Sequence, residues 1–188
     1  MKLLCLGDSL TYGYDVPLAL RWTTVVAQEL GITIDNEGVC GDTTAGMVYR
    51  LQFLKLSDYD GFFLMGGSND VLMDTPVDQT KRHLSDMAAT MARTGKPVVL
   101  GIPPLMTGQS ALFGWQRTSD VSRHNEMLRE LGGYIQALCR EKEYYPISFA
   151  AVMTDESLYA DGVHPNSGGY GLVAQAAGKV FRNVFELS

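Results

Sequence analysis

The sequence predicts a three-layer α/β/α sandwich, with helices on both faces of a parallel β-sheet. Two observations carry that expectation. Short apolar runs alternate with longer stretches of helical spacing, the pattern of successive βαβ units. Glycines and prolines close most of these segments: Gly31, Gly66-Gly67, Gly95 and Pro103-Pro104 each follow one. The 188 residues suit one domain over 1–188 with a single core, and 46% hydrophobic with 19% charged residues is ordinary for a globular chain.

Taken in order, Lys2–Gly7 reads as a first buried strand. Helical spacing over 18–30 stops at Gly31, a plausible C′ residue. A short β-branched strand is predicted over 32–36, and Thr43 or Thr44 can cap a helix reaching about Leu54. Gly61–Met65 is the third apolar run, followed by a helix over 77–93. Val98–Ile102 is a fourth strand, cut off by two prolines. The long loop 103–117 then carries Met106, Phe113 and Trp115. Loops of that length inside a compact domain are usually functional or disordered. Ser119 or Asp120 caps a helix to about Lys142, 145–149 is a fifth strand, and Ser167–Val184 a last helix.

The net charge of −6 argues against nucleic acid as the main partner. The apolar run behind Met1-Lys2 is shorter than the ~7–15 residues of a secretory leader's core. No stretch approaches the ~20 apolar residues of a membrane span. The expectation is a cytoplasmic protein. Its three cysteines, Cys5, Cys40 and Cys139, lack metal-like spacing and read as reduced thiols, with Cys40 a small buried residue.

In open α/β sheets, ligands bind beyond the carboxyl ends of the strands, and four such loops carry reactive residue types. Gly7-Asp8-Ser9-Leu10 presents a hydroxyl beside the N–H groups of a turn. That suits a nucleophile with an oxyanion donor, a serine that caps the next turn, or a phosphate or flavin loop. In Asn36-Glu37-Gly38-Val39-Cys40-Gly41-Asp42-Thr43, Gly41 lets the backbone approach a ligand closely; it also fits an ordinary turn. In Gly66-Gly67-Ser68-Asn69-Asp70, the Asn69 amide offers uncharged donors, although Asn and Asp after glycine are common turn residues. In Asp161-Gly162-Val163-His164-Pro165, the i, i+3 spacing can bring a carboxylate to an imidazole, as in a catalytic pair or a surface pair.

Together and in this order, the four blocks resemble those that define the SGNH (GDSL) hydrolases, and the match runs from Gly7 to Pro165. The resemblance implies a flavodoxin-like sheet of five parallel strands and an esterase acting on small or medium acyl esters, thioesters and lysophospholipids included. It makes Ser9 the nucleophile, His164 the base and Asp161 the residue that orients it. Gly41 and Asn69 join the Ser9 backbone N–H in an oxyanion hole. It implies no metal or organic cofactor, and a small-molecule ester as the partner. One departure is Ser68, where many members carry Thr or Gly.

Met106, Phe113 and Trp115 are candidates for an apolar wall or lid around an acyl chain. Tyr12 and Tyr14 either line the cleft or pack on the first helix. His83 and His124 read as solvated helix positions. Two other functions stay in view: a carbohydrate O-deacetylase, and a non-catalytic flavodoxin-like module holding a ligand near 8–12.

Overall fold

The apolar runs become the strands of one sheet: β1 (Lys2–Gly7), β2 (Thr33–Gly38), β3 (Gly61–Met65), β4 (Val98–Ile102) and β5 (Tyr145–Ser148). The computed structural model describes residues 1–187. All strand pairs are parallel, in the order β2-β1-β3-β4-β5. Side chains alternate along a strand, so each strand feeds both faces. Leu3 and Cys5 join a core with Phe63, Trp22, Tyr170 and Phe181, whereas Leu4 and Leu6 join one with Phe62, Met47, Met87 and Leu131.

The helices that supply those partners are α1 (Ser9–Tyr12), α2 (Trp22–Leu30), α3 (Thr44–Leu51), α4 (Ser68–Leu72), α5 (Val77–Ala92), α6 (Gln109–Leu112), α7 (Val121–Lys142), α8 (Phe149–Val152) and α9 (Ser167–Val184). Helices α2 and α9 cover the first face; α3, α5 and α7 cover the second. This is the three-layer arrangement expected, with both faces of a parallel sheet buried. Trp22 is central to the first layer. It is fully buried edge-on to Phe63 and Phe149, and its indole N–H reaches the Leu10 carbonyl at 3.1 Å, fastening α1 to that core.

Several predicted boundaries move for identifiable reasons. The helix expected over 18–30 is a short 3₁₀ turn (Leu18–Leu20) followed by α2, because Arg21 is extended at φ −65°, ψ 134°. Strand β2 runs on to Gly38, two residues beyond the expected end. Its polar Asp35, Asn36 and Glu37 pair with Leu4, Cys5 and Leu6, so ladder bonds and not apolar alternation define it. Helix α3 is capped by Thr43 and ends at Leu51, short of Leu54. Asn166 caps α9 by accepting from both Gly168 and Gly169 N–H groups, which explains why two glycines do not delay its start.

Strand order reverses between β2-β1 and β1-β3, so the crossovers leaving β1 and β3 diverge. The crevice at that switch point is where such sheets bind ligands. The segments entering it are those after β1, β2 and β3, joined by the turn before α9.

Candidate active site

The segment after β1 turns sharply into α1. Asp8 caps that turn by accepting the Leu10 N–H at 2.9 Å, and Ser9 becomes the first helical residue. From the far end of the chain, the turn before α9 brings His164 against it. His164 Nε2 lies 2.8 Å from Ser9 Oγ, and His164 Nδ1 lies 2.7 Å from Asp161 Oδ2. Asp161 Oδ1 accepts the backbone N–H groups of Val163 (2.9 Å) and His164 (2.8 Å). All three side chains are buried. Gly162 lets this turn close: its φ is +83°, and a Cβ there would lie 2.2 Å from the Ser110 nitrogen.

Burial would raise the Asp161 carboxyl, but the imidazole and the two backbone N–H groups outweigh it and hold it below the usual carboxylate range. Asp161 is therefore ionised at neutral pH and assigns the Nδ1 proton to His164, leaving Nε2 toward the hydroxyl. A hydroxyl–imidazole–carboxylate chain of this geometry can pass the hydroxyl proton to the ring as oxygen attacks a carbonyl.

The loop after β2 folds back on the first segment: Val39 N–H donates to the Gly7 carbonyl at 3.1 Å. Gly41 adopts φ +79° with open space around its α-carbon. From α4, the Asn69 amide nitrogen donates to the Asp42 carbonyl at 2.8 Å. An amide carries two N–H bonds, so one anchors Asn69 beside Gly41 and the second remains. The backbone N–H groups of Ser9 and Gly41 find no acceptor among the described residues.

Other residues support these segments, and Arg50 among them carries no sequence signal. Arg50, on α3, ties the end of β1 to the end of β2 and the loop that follows it. Its guanidinium bonds the Asp42 carboxylate (2.8 Å), the Glu37 carbonyl (2.9 Å) and the Gly7 carbonyl (2.9 Å). Asp70 is buried and accepts the Thr44 N–H (2.9 Å) and hydroxyl (2.6 Å), locking the start of α3 to α4. Thr44 has one hydroxyl proton and gives it to Asp70, so its contact at 2.9 Å with His83 Nδ1 is a bond donated by the ring. His83 is thus held against α3 and is only partly exposed.

Other expectations change. His124, expected to be solvated, is 2% exposed: its ring bonds Gln116 on the loop before α7 and Asp74 after α4. Cys40 is exposed, not buried. Partial burial and the neighbouring Asp8 raise its thiol above the ordinary value, contrary to what a thiolate nucleophile needs. The three wall candidates separate. Met106 is 4% exposed and packs inward with Val71, Leu128 and Val163, while Asn125 brackets its backbone. Phe113 is 62% exposed. Trp115 alone reaches the cluster, donating its indole N–H to Asp161 Oδ2 at 2.9 Å with its ring 5.2 Å from that of His164. Tyr14 also lies against the imidazole, ring centroids 4.5 Å apart, and Tyr12 stacks under the Arg21 guanidinium at 3.8 Å.

Among the described residues, no group of three or more His, Cys, Asp and Glu side chains is gathered to hold a metal ion. No helix among them is long and apolar enough to cross a membrane.

Known proteins resemble this chain in sequence and fold. An arylesterase from Vibrio mimicus is 33% identical over 112 residues, covering 55% of this chain and 56% of that protein. The chain therefore spans about half the length of that curated relative. A lipolytic protein of the G-D-S-L family from Veillonella parvula DSM 2008 superposes with a TM-score of 0.83 at 27% identity, covering 96% of this chain and 98% of that one. A carbohydrate acetylesterase family member from Sinorhizobium meliloti shares the fold, with a TM-score of 0.79 at 21% identity over 99% of each chain. The model of the GDSL-like Lipase/Acylhydrolase family matches residues 5–172, and the chain belongs to that family.

Proposed function

We propose that the protein is a serine esterase hydrolysing small or medium acyl esters through an acyl-enzyme formed on Ser9. One observation carries the reading: the unbroken chain Ser9 Oγ–His164 Nε2, His164 Nδ1–Asp161 Oδ2, beside N–H groups without acceptors among the described residues. His164 takes the hydroxyl proton as Ser9 Oγ attacks the carbonyl carbon. The Ser9 and Gly41 N–H groups and the second N–H of the Asn69 amide receive the oxyanion. The tetrahedral adduct collapses as His164 protonates the leaving alcohol. Water, deprotonated by the same ring, then attacks the acyl-enzyme and releases the acid.

The leaving group can be an alcohol, a thiol or a sugar hydroxyl, because the oxyanion chemistry is common to all three. A panel of p-nitrophenyl esters of rising acyl length, an acyl thioester and acetylated sugars tests the reading and ranks the substrates. The wild type is expected to turn over at least one ester class, with Ser9→Ala inactive on it and equally stable. Undiminished turnover by Ser9→Ala would overturn the assignment.

A further inference from the structure

We propose that Trp115 is a positioning residue for the Asp161–His164 pair, its indole N–H holding the carboxylate in the orientation that grips the imidazole. This deepens the esterase reading and rests on it. Asp161 takes four hydrogen bonds, two on each oxygen. Those on Oδ1 come from backbone two and three residues along its own turn, and His164 supplies one on Oδ2. Only the fourth, from Trp115 Nε1 at 2.9 Å, arrives from another part of the chain, 46 residues away. The carboxylate plane is thus pinned from outside its own turn by one donor. A charge-assisted bond of this kind is among the stronger ones a side chain makes.

The indole is itself held on a built scaffold. Thr107 N–H donates to the Gly162 carbonyl at 2.8 Å, joining the Trp115 loop to the turn that carries Asp161 and His164. The close approach of Gly162 to the Ser110 backbone leaves no room between the two segments. Trp115 N–H donates to the Ser110 carbonyl at 2.9 Å, and the Ser110 hydroxyl donates to the Thr107 carbonyl at 2.6 Å. The adjacent Gln116 donates to the Ser110 hydroxyl at 2.6 Å and bonds His124, which is buried on α7. Leu112 and Phe113 at the loop's crest are 85% and 62% exposed, so that part of the loop is separate from the anchored part.

Trp115 is 39% exposed, so its ring also has a face toward solvent. A wall for acyl chains and a holder of Asp161 make different predictions for Trp115→Phe, which keeps an aromatic body and loses the N–H. Positioning predicts that kcat falls about tenfold, as for loss of one hydrogen bond to a charged group. The fall is the same for acetyl and octanoyl esters, and KM is unchanged. The low-field proton resonance of His164 Nδ1–H, assigned by its loss in His164→Ala, shifts in Trp115→Phe. Conversely, the Trp115 indole cross-peak, assigned by its loss in Trp115→Phe, moves in Asp161→Asn.

An unchanged kcat with unmoved resonances overturns the proposal. So does a KM that rises with acyl length at constant kcat, which assigns a wall. If Trp115→Phe does not fold, 3-benzothienylalanine placed at 115 keeps the indole outline without the N–H and is read in the same way. Should the wild type hydrolyse no ester, the esterase reading fails, while the two resonances still report whether Trp115 holds Asp161.

Discussion

Replacing Arg50 with methionine tests whether one side chain holds together the segments that meet at Ser9. Methionine keeps much of the aliphatic stem and removes the guanidinium. Three bonds are lost: those to the Gly7 and Glu37 carbonyls, at the carboxyl ends of β1 and β2, and that to the Asp42 carboxylate. Hydrogen bonds to charged groups contribute about 1.5–3 kcal/mol each, so three at the low end sum to about 4–5 kcal/mol. The Arg50 side chain is 23% exposed, and water can replace part of what it provides. The expected loss is therefore about 3 kcal/mol, or a fall in Tm of roughly 6–12 °C for a domain of this size. Thermal and urea unfolding followed by circular dichroism read it directly. Activity should fall beyond what unfolding explains, because Gly7 leads into Ser9 and Asp42 follows Gly41. A Tm within about 2 °C of wild type, where roughly 6–12 °C is expected, would refute the reasoning.

Asn69→Ala removes the side-chain donor beside Gly41 and is expected to lower kcat by on the order of 10²–10³ with little change in KM; steady-state kinetics on the best ester check it, and a loss confined to KM would contradict the role. Asp8 predicts a pH effect on stability. Burial pushes its carboxyl up to about 7, against the pull of the Leu10 N–H and His164, and its Oδ2 has no hydrogen-bond partner among the described residues. A raised folded-state value means the native protein keeps a proton that the unfolded chain releases. The associated stability is present below about pH 4 and lost as pH rises through about 7, an effect of about 4 kcal/mol. Asp8→Asn keeps an oxygen for the Leu10 N–H and removes the titration. Its Tm should match wild type near pH 4 and exceed it near pH 8; equal differences at both pH values would contradict the account.

What the sequence made legible follows from where the information lies. Strands β3 and β4 and helix α9 run over the predicted spans, because apolar content and closing glycines or prolines bound the strands and a capping Asn166 opens the helix. Strand β2 was harder, since a polar run gains its strand character from pairing with β1. Ser9, Gly41 and Asn69 stood out as candidates because each sits in a short motif after a strand, and Asp161 and His164 because their i, i+3 pair lies just before the last helix. Trp115 and Arg50 act through partners 46 and 43 residues away. No local spacing encodes such pairs. His124 illustrates the same limit: beside Arg123 on a helix it reads as solvated, yet the loop carrying Gln116 covers it. Exposed Cys40 is the converse, a residue in an apolar-sounding dipeptide whose turn faces outward.

Covalent capture asks directly whether Ser9 is the nucleophile. The wild-type protein, incubated with a fluorophosphonate probe, is analysed by intact mass and then by peptide mapping. A single adduct is expected on the peptide containing Ser9, none in Ser9→Ala, and much slower labelling in His164→Ala. An unlabelled wild type that hydrolyses esters, or an adduct on another residue that persists in Ser9→Ala, would contradict it.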